Sequence, residues 1–590
     1  MLPWTTYNAM QDAAINQPEQ FWLEAARRVT WKQPPLIACS PRAGGWHDWF
    51  TDATLNTCHN AVDRHVEGGR GEQAALIWHS CATDECDVVT YQTLQGRVAR
   101  FAGGLRSLGV GKGDHVLIVM PTMVETVIAM LACARLGAVH VVVFAGYAAP
   151  ELAQRIDDVQ PKVIILASCS FQGQKIIPST PVLNDALTAA THKPQACVVA
   201  QRKACPAVLL PARDHDFHEM EVSDAVDPVV LCSQDPLYIL HTSGTTGKAK
   251  GIVRDNGGHA VALALSMDLI YGCKPGETFF TTSDLGWVVG HSYGVYAPLI
   301  SGCTSVIVEG SASASAIRAL CHEYKVKCLF TTPTQMRLMR QESRHLSGAI
   351  LPALDHIFVA GEYADPTLLD WARSYFRKPV VNHWWQTETG WSITAHFFGL
   401  PEQEPAALMN DIGRPAPGFN PVIRPSLPDD PCGEILLSLP LPPGCLAGVW
   451  KEGAIHAPAM YLDDTGRYYR TFDEGILSAT RAVHMLGRSD DVIKVAGRRI
   501  SGVQIEKIIA AHPKVHACAV AAVPDRLRGQ RPVAYVVPDS TAHPTLSSEE
   551  IIGQVGQILG RWVGLREVYF VSHLPTTVSG KIRRRHLSAG

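Results

Sequence analysis

Short runs of branched apolar residues alternate with longer amphipathic stretches in the first part of the chain. Residues 115–120, which are apolar after His115, form a run that is typical of a buried strand. Residues 122–136 carry the pattern of a helix that ends at Gly137, and residues 139–144 and 163–166 form two further apolar runs. Short apolar strands joined by helices predict parallel βαβ units in a sheet that is covered on both faces.

The same pattern continues and then changes near residue 400. Four further strands are predicted, at 237–240, 304–308, 328–331 and 357–360. Proline and glycine then become dense and the apolar runs shorten, which predicts a small β-rich subdomain. After Gly487 the pattern predicts a last α+β unit in the order helix, strand, strand, helix, strand: 502–511, 515–523, 532–537, 547–563 and 567–571.

These changes of pattern predict an α/β fold in three parts. Residues 1–400 form a large N-terminal region of parallel-sheet subdomains, residues 401–487 form the small β-rich subdomain, and residues 488–590 form a small α+β C-terminal domain. A chain of 590 residues is far too long for one compact core, and the last part has the usual size of a domain.

Composition and charge narrow the classes of protein that the chain can represent. Hydrophobic residues make up 46% and charged residues 18% of the chain, as in ordinary globular enzymes. A net charge of −3 provides no field that would draw the protein onto nucleic acid or an anionic membrane. Sixteen scattered cysteines without a Cys-x-x-Cys pair, and the lack of a secretion signal, predict reduced thiols in a cytoplasmic protein.

The segment that follows the strand predicted at 237–240 carries the most specific chemistry. It contains the candidate phosphate ligands Thr242, Ser243, Gly244, Thr245, Thr246, Gly247 and Lys248. Glycines let main-chain N–H groups approach a polyphosphate, while hydroxyl and ammonium groups add donors and positive charge. A Walker A loop is excluded, because Thr242 stands where that motif needs Gly and Ala249 where it needs Ser or Thr. A solvated surface loop of the same composition is the plain alternative.

The run Thr-Ser-Gly-Thr-Thr-Gly-Lys-Ala-Lys-Gly at 242–251 resembles the signature loop of the adenylate-forming superfamily. That superfamily includes acyl-CoA synthetases, luciferases and peptide-synthetase adenylation domains. Segments 17–22 and 55–60 are similar to N-terminal landmarks of its acetyl/propionyl-CoA synthetase branch, with propionyl-CoA synthetase as the best match. The resemblance covers nearly the whole chain. It implies that the ligands are ATP, Mg²⁺, coenzyme A and a short carboxylic acid.

The resemblance implies further contacts to ATP. Segment 383–388 is similar to the family's Trp-Gln-Thr-Glu motif, in which Thr387 would bond the α-phosphate and Glu388 would bind Mg²⁺, a hard cation that takes few carboxylates. Segment 471–473 is similar to Thr-Gly-Asp, although Phe472 replaces the glycine. The implied ATP contacts outside the loop are Gly361, Glu362, Tyr363, Asn382, His383, Trp384, Trp385, Gln386, Thr387, Asp473, Arg488 and Arg499.

Two C-terminal segments resemble the family's hinge and its catalytic-lysine loop. Asp490 would be the hinge of a mobile C-terminal domain, and Arg499 would bind the phosphate of the adenylate. Lys581 would neutralise the charge that builds up when a carboxylate attacks a triphosphate. The implied catalytic residues are thus Thr242, Glu388, Arg499 and Lys581. Because acetylation removes a lysine's charge, Lys581 is also a candidate target of a lysine acetyltransferase and deacetylase.

The acyl pocket and the coenzyme A contacts are likewise implied by the resemblance. The pocket would be formed by Trp287, Val288, Val289, Ala360 and Trp385. Acetate enzymes usually carry Thr and Val at positions 289 and 360, so the larger and less polar pocket favours propionate, with acetate and butyrate as slow substrates. Coenzyme A would contact Lys175, Val289, Ala496 and Gly497.

Alternatives to a propionyl-CoA synthetase stay open. The arginine that acetate enzymes carry near the position of Lys175 is missing, and Ala496 replaces a serine. An acetyl-CoA synthetase, or an adenylation enzyme that loads a carrier protein, therefore fits the same motifs. An ATP-binding sensor that has lost turnover is a third, non-enzymatic alternative.

Overall fold

The computed structural model describes residues 4–242, 250–343, 350–362, 364, 366–402, 411–425, 431–451, 453–489, 492–496, 498–539, 546–575, 582, 584 and 587, without the side chains of 494, 498 and 499. The chain forms two compact units. The larger comprises Met1–Phe419 with Leu439–Leu462, and the smaller comprises Asn420–Ser438 with Asp463–Gly590.

The first sheet of the large unit has nine strands. Their spatial order is Asp214–Asp216, Ala196–Ala200, Val163–Ala167, His115–Val119, Val139–Val143, Pro236–Thr242, Lys250–Asp255, Gly448–Lys451 and Ala454–His456. The first six run parallel, and the last three add antiparallel neighbours. The strands predicted at 115–120, 139–144 and 163–166 are confirmed at its centre, where mostly apolar runs are buried on both faces.

The second sheet of the large unit has seven strands. Their spatial order is Val380–Asn382, His356–Val359, Val326–Thr331, Thr278–Thr281, Thr304–Glu309, Ala74–Ser80 and Cys86–Thr90. All neighbours are parallel except the last pair. The strands predicted at 304–308, 328–331 and 357–360 all belong to this sheet, so the α/β class predicted from the pattern is confirmed.

Helices cover these sheets. In the large unit they are Tyr7–Asn16, Pro18–Ala26, Tyr91–Ser107, Val124–Leu136, Ala149–Val159, Ser179–Ala189, Phe217–Met220, Gly257–Leu269, Ala297–Ile300, Ala314–Glu323, Pro333–Glu342 and Pro366–Phe376. Val124–Leu136 and Gly257–Leu269 are buried over almost their whole length, which explains their apolar composition on every side. The helix predicted at 122–136 ends at Gly137, whose φ of +73° suits glycine.

The small unit contains two sheets of its own. A four-stranded antiparallel sheet has the order Pro421–Pro425, Gly433–Ser438, Tyr468–Leu477 and Val483–Arg488. A mixed sheet of five strands is formed by Val492–Val495, Arg498–Ser501, Val515–Asp525, Gly529–Pro538 and Val568–Phe570, and helices Gly502–Ala510 and Ser548–Leu559 pack on its apolar core. Both the β-rich and the α+β character predicted for the C-terminal part are therefore present.

The compact units cross the domain boundaries that the sequence predicts. Residues 439–462 lie inside the predicted β-rich part, yet they belong to the large unit. The cause is the strand Gly448–Lys451, which pairs with Lys250–Asp255 and so extends the first sheet. The division at 400 and 487 stays a prediction.

Two further features of the described residues bear on the class of protein. Among the described helices, none is both long enough and apolar enough to cross a bilayer. The sixteen cysteines are free thiols, and ten of them are buried.

Buried histidines make the large unit sensitive to acid. Burial lowers the pKa to about 3 for His65 and His383, and to about 4 for His241, His291 and His356. In the unfolded chain the same groups titrate near 6.5. Below about pH 6.5 the unfolded chain therefore binds protons at these histidines, whereas the folded chain does not. The stabilisation is present above about pH 6.5 and is lost as the pH falls toward the pKa values of the folded protein.

We expect the free energy of unfolding to fall by about 2 kcal/mol for each such histidine between about pH 7.5 and about pH 5. Guanidinium unfolding at the two pH values measures the change. His356→Gln is the matched variant, because the His356 Nε2–H donates to the Tyr271 carbonyl at 2.9 Å and glutamine keeps a donor that does not titrate. The variant should lose about 2 kcal/mol of the pH dependence, and equal stability of the wild-type protein at both pH values would contradict the prediction.

Candidate active site

The candidate phosphate loop connects two neighbouring antiparallel strands. Thr242, the last residue of Pro236–Thr242, lies opposite Lys250, the first residue of Lys250–Asp255. The ligands predicted between them, Ser243 to Lys248, lie outside the described residues. A Walker A loop leads from a strand into a helix, whereas this loop returns into a strand. The geometry therefore agrees with the exclusion of that motif.

A buried histidine holds the base of this hairpin. His241 Nε2 lies 2.9 Å from Asp158 Oδ2, and burial lowers the His241 pKa to about 4 although Asp158 acts in the opposite direction. The Trp450 indole donates to the Asp158 carbonyl at 3.0 Å. A Cβ at Gly251 would lie 2.7 Å from Ile239 and 2.9 Å from Trp450, so only glycine fits there. The start of the loop is thus anchored to helix Ala149–Val159.

Several predicted ligands come from one edge of the second sheet. Four adjacent parallel strands end there: Thr278–Thr281, Val326–Thr331, His356–Val359 and Val380–Asn382. The segments that follow these strand ends carry the predicted residues Trp287, Val288, Val289, Ala360, Gly361, Glu362, Asn382, His383, Trp384 and Trp385. The carboxyl edge of a parallel sheet is the usual place for ligands in α/β folds.

The segment that carries the predicted ATP contacts Gly361 and Glu362 is held to the start of helix Pro333–Glu342. Ala360 N–H donates to the Thr331 carbonyl at 3.3 Å. The Glu362 carboxylate accepts from Thr334 N–H and from Arg337, both at 3.0 Å. Gly361 has a φ of +100°, which a residue with a side chain rarely adopts. Tyr363 lies outside the described residues.

His383 is buried, and both of its ring nitrogens form hydrogen bonds within the protein. Its Nδ1–H donates to the Val359 carbonyl at 3.0 Å, and its Nε2 accepts from the Tyr271 hydroxyl at 3.1 Å. Burial lowers its pKa to about 3, so the ring is neutral in the folded protein. Its position fits a group that holds the Trp-rich segment in place, and its predicted contact with ATP stays a prediction.

Aromatic rings meet at the predicted acyl pocket. The Trp385 ring lies 5.5 Å from that of Tyr293, one helical turn after Val289, and 6.3 Å from that of Phe330. Val289 and Ala360 are buried, whereas Trp287 and Val288 are half-buried. Phe330 lies in the strand Val326–Thr331, and Ala360 follows the neighbouring strand His356–Val359.

Tyr461 connects Glu388 to Lys250, the first residue of the strand that follows the phosphate loop. The Tyr461 hydroxyl donates to Glu388 Oε1 at 2.8 Å, and Lys250 Nζ lies 5.4 Å from the centre of the Tyr461 ring. Glu388 offers hard carboxylate oxygens, which are the kind of donor that Mg²⁺ prefers. Among the described residues no group of three or more His, Cys, Asp or Glu could hold a metal ion. A site of one carboxylate completed by phosphate oxygens and water fits these residues.

Two of the predicted ATP contacts, Asp473 and Arg488, lie together in the small unit. Asp473 pairs across neighbouring strands with Arg488, whose Nη1 donates to Asp473 Oδ1 at 3.4 Å and to the Thr471 carbonyl at 3.0 Å. Phe472, between Thr471 and Asp473, has a φ of +58°, which explains why a glycine is usual at this position of the family. Phenylalanine pays about 1–2 kcal/mol for that conformation. The guanidinium carbons of Arg470 and Arg488 lie 4.9 and 5.9 Å from its ring centre and offset part of this cost.

The other C-terminal residues are only partly described. Arg499 lies on the strand Arg498–Ser501 opposite Lys494, and Ala496 occupies the preceding turn with a φ of +49°. Asp490, Gly497 and Lys581 lie outside the described residues.

The hairpin that carries Lys175 borders a cavity at the end of the first sheet. Lys175 is exposed and pairs with Gln172. The cavity is lined by residues that include Tyr147, Gln172, Ile177 and Ser179. Arg202 lies 4.7 Å from the Phe171 ring of this hairpin, but it is buried and bound by both oxygens of Glu309 at 2.6 and 2.7 Å. Arg202 therefore does not replace the arginine that the sequence lacks here.

Three family models match parts of this chain. Residues 62–441 match the AMP-binding enzyme family, residues 504–581 match the AMP-binding enzyme C-terminal domain, and residues 7–61 match the acetyl-coenzyme A synthetase N-terminus. The chain belongs to the AMP-binding enzyme family. This confirms the resemblance that the motifs indicate.

Relatives of this AMP-binding enzyme match it over almost its whole length. An uncharacterized protein of Pseudomonas aeruginosa is 42% identical, over 98% of this chain and 94% of its own. The mitochondrial acyl-CoA synthetase short-chain family member 3 of Homo sapiens is 40% identical, over 98% and 86%. The propionate–CoA ligase of Escherichia coli is 38% identical, over 99% and 95%. The acetoacetyl-CoA synthetase of Streptomyces lividans shares the fold, with a TM-score of 0.84 at 22% identity over 99% and 90% of the two chains.

The N-terminal segments of this AMP-binding enzyme brace the rest of the large unit. Trp22 packs edge-on against Trp391, which follows the Glu388 segment, at 6.4 Å between ring centres. The Asn56 amide donates to the carbonyls of Ala134, Arg135 and Val229. These contacts give a structural reason for the similarity of segments 17–22 and 55–60 to the family's landmarks.

Two residues that the sequence argument missed support the Glu388 segment. Tyr461 donates to the carboxylate, and the guanidinium of Arg254 donates to the carbonyls of Thr387 and Glu388. Tyr461 lies more than seventy residues from Glu388 in sequence, so no local pattern indicates it. Arg254 had a weak signal: it is a charged residue that follows the apolar pair Ile252 and Val253 in the strand directly after the phosphate loop.

Proposed function

We propose that this AMP-binding enzyme is a short-chain acyl-CoA synthetase that converts propionate, ATP and coenzyme A to propionyl-CoA, AMP and pyrophosphate. The contact of the phosphate hairpin with Glu388 through Tyr461 carries the proposal, because it joins the predicted triphosphate loop to the predicted magnesium ligand. The similarity to the Escherichia coli propionate–CoA ligase and to the Homo sapiens short-chain family member supports a short-chain acid as the substrate.

In the first half-reaction a propionate oxygen attacks the α-phosphorus of ATP, and the bond to pyrophosphate breaks. Thr242 and the loop that follows it would bind the phosphates, Thr387 would orient the α-phosphate, and Arg499 and Lys581 would offset its charge. Mg²⁺, held by Glu388, would neutralise phosphate charge when bound. Asp473 and Arg488 would bind the ribose.

In the second half-reaction the sulfur of coenzyme A attacks the acyl carbon, the bond from that carbon to AMP breaks, and the thiol proton leaves to solvent. Lys175, Val289, Ala496 and Gly497 are the proposed contacts of coenzyme A. Rotation of the C-terminal domain about Asp490 between the two steps is part of the proposal, as are the cytoplasmic location and the regulation of Lys581 by acetylation and deacetylation.

The choice of acid depends on the wall of the pocket at Ala360. Ala360 is buried, and its main-chain N–H donates to the carbonyl of Thr331. We expect Ala360→Val to shift the ratio of kcat/KM for acetate over propionate upward by about tenfold, because two methyl groups fill the space of the propionate methyl and a methylene is worth about 1–3 kcal/mol. Steady-state AMP release with each acid measures the ratio. An unchanged ratio would place the pocket elsewhere.

AMP release with a panel of acids of two to six carbons, each with and without coenzyme A, tests the proposed function. Release should require both acid and coenzyme A and should be fastest with propionate. Acetate as the best substrate would identify an acetyl-CoA synthetase. Pyrophosphate exchange without transfer to free coenzyme A would favour a carrier-protein-loading enzyme, and no acid-dependent exchange at all would favour an ATP-binding sensor.

A further inference from the structure

Arg254 is a fully buried arginine at the centre of the candidate site. It lies on the strand Lys250–Asp255 that leaves the phosphate loop, and 0% of its surface is exposed. Its Nη1 donates to the carbonyls of Gly444 at 2.7 Å and Glu388 at 3.2 Å, and its Nη2 donates to the carbonyl of Thr387. Its Nε donates to the Tyr238 hydroxyl at 3.4 Å. Four acceptors thus satisfy one guanidinium.

The charge of Arg254 is costly to bury and has an unusual compensation. Two other buried arginines, Arg135 and Arg202, each bind a carboxylate, Asp63 and Glu309, through two hydrogen bonds. Within the described part of the chain, no carboxylate lies at ion-pair distance from Arg254. A buried charge without an ion pair is expensive. Three carbonyls and the Tyr238 hydroxyl hold the guanidinium, and its charge acts against the rise that burial causes in the pKa of the adjacent Asp255 carboxyl. A functional reason for keeping it is therefore expected.

The surrounding main chain is shaped for this guanidinium. Gly390 has a φ of +73°, and a Cβ there would lie 2.7 Å from Arg254 Cζ and 2.4 Å from the Gly444 carbonyl oxygen. The Glu388 carbonyl also accepts from Leu446 N–H at 2.8 Å. The main chain on both sides of the Glu388 side chain is consequently fixed by groups that come from other parts of the large unit.

The same strand supports Glu388 at a second point. Lys250 and Arg254 are four residues apart and so lie on one face of the strand. Lys250 meets the ring of Tyr461, whose hydroxyl donates to the Glu388 carboxylate. One strand, which leaves the phosphate loop, thus reaches the side chain of Glu388 through Tyr461 and its main chain through Arg254.

We propose that Arg254 is a positioning residue that couples the phosphate loop to Glu388, so that ATP and Mg²⁺ bind cooperatively. The inference rests on the proposed function of Glu388. Arg254 touches no substrate in this proposal; it sets the direction of the Glu388 carboxylate by holding the Thr387 and Glu388 carbonyls. Losing the guanidinium should therefore weaken the effect of Mg²⁺ on ATP affinity and leave the binding of ATP without Mg²⁺ unchanged.

Calorimetric titration of the full-length enzyme with ATP, with and without Mg²⁺, tests this. The ratio of the two affinities should fall about tenfold in Arg254→Lys, which keeps the charge but cannot reach three carbonyls. In the background of Glu388→Gln the same change should alter the ratio less than about twofold, because the effect passes through Glu388. Arg254→Gln provides a second variant with a planar donor if the lysine variant does not fold.

Arg135→Lys is the matched control. Arg135 is equally buried, but its partners are Asp63 and the Val226 carbonyl. This variant should be destabilised and should keep the wild-type ratio, since its effect is only structural. A wild-type ratio in both Arg254 variants, or equal losses with and without Glu388, would overturn the inference. A wild-type enzyme whose ATP affinity ignores Mg²⁺ would instead refute the proposed role of Glu388, and with it the proposed function.

Discussion

Replacing Glu388 with glutamine is expected to lower kcat/KM for ATP in acid-dependent pyrophosphate exchange about 100-fold, or about 2.7 kcal/mol in the barrier. Glutamine keeps the shape of the side chain and an oxygen that can accept from Tyr461, which donates to Glu388 at 2.8 Å. Only the negative charge that would hold Mg²⁺ is removed. The Mg²⁺ concentration for half-maximal exchange should rise by a similar factor, and a titration of Mg²⁺ at fixed ATP measures it.

Tyr461→Phe tests the hydrogen bond that supports the Glu388 carboxylate separately from the charge of that carboxylate. Phenylalanine keeps the ring beneath Lys250 and removes the hydroxyl that donates to Glu388. A hydrogen bond to a charged group is worth about 1.5–3 kcal/mol, but the Glu388 charge that would hold Mg²⁺ stays in place in this variant. Only part of that energy should therefore be lost from activity, and the loss should stay below that of Glu388→Gln. If the tyrosine variant were fully inactive and Glu388→Gln fully active, the metal would have to be bound elsewhere.

Replacing Lys581 with alanine is expected to lower the rate of propionyl-adenylate formation about 1000-fold, or about 4 kcal/mol. The carboxylate and the triphosphate repel each other as they approach, and removing the ammonium leaves that charge uncompensated. Thioester formation from supplied propionyl-adenylate should remain within about twofold of wild type, because no pyrophosphate leaves in that step. Pyrophosphate exchange and single-turnover thioester formation measure the two steps separately. Lys581 lies outside the described residues, so this expectation comes from the sequence.

Lys514→Ala is the control for the loss of one positive charge in the same compact unit. Lys514 Nζ lies 3.4 Å from Glu550 on the surface of the small unit, and its removal should change neither half-reaction. Loss of both half-reactions in Lys581→Ala would contradict the division of labour between the two steps. Unchanged adenylation would show that Lys581 does not reach the α-phosphate.

The sequence predicts much of the secondary structure because local patterns carry it. The mostly apolar runs at 115–120 and 139–144 become the central strands His115–Val119 and Val139–Val143, since runs so rich in apolar residues are stable only when both faces are covered. Gly137 ends the helix between them for a local reason, its left-handed φ. The predicted segments at 287–289, 360–362 and 383–385 also follow strand ends at the carboxyl edge of the second sheet. Chain order and backbone preference suffice for these features.

By itself the sequence determined the family, the α/β class and the motifs that can carry adenylation chemistry, because each depends on residues close together in the chain. The tertiary structure decided what holds those motifs. Arg254 donates to the carbonyls of Thr387 and Glu388, which lie more than 130 residues away in the sequence. Tyr461 donates to the Glu388 carboxylate from a position more than seventy residues away. The same long-range pairing places Gly448–Lys451 in the first sheet. Such contacts depend on the packing of distant segments, which no local pattern encodes.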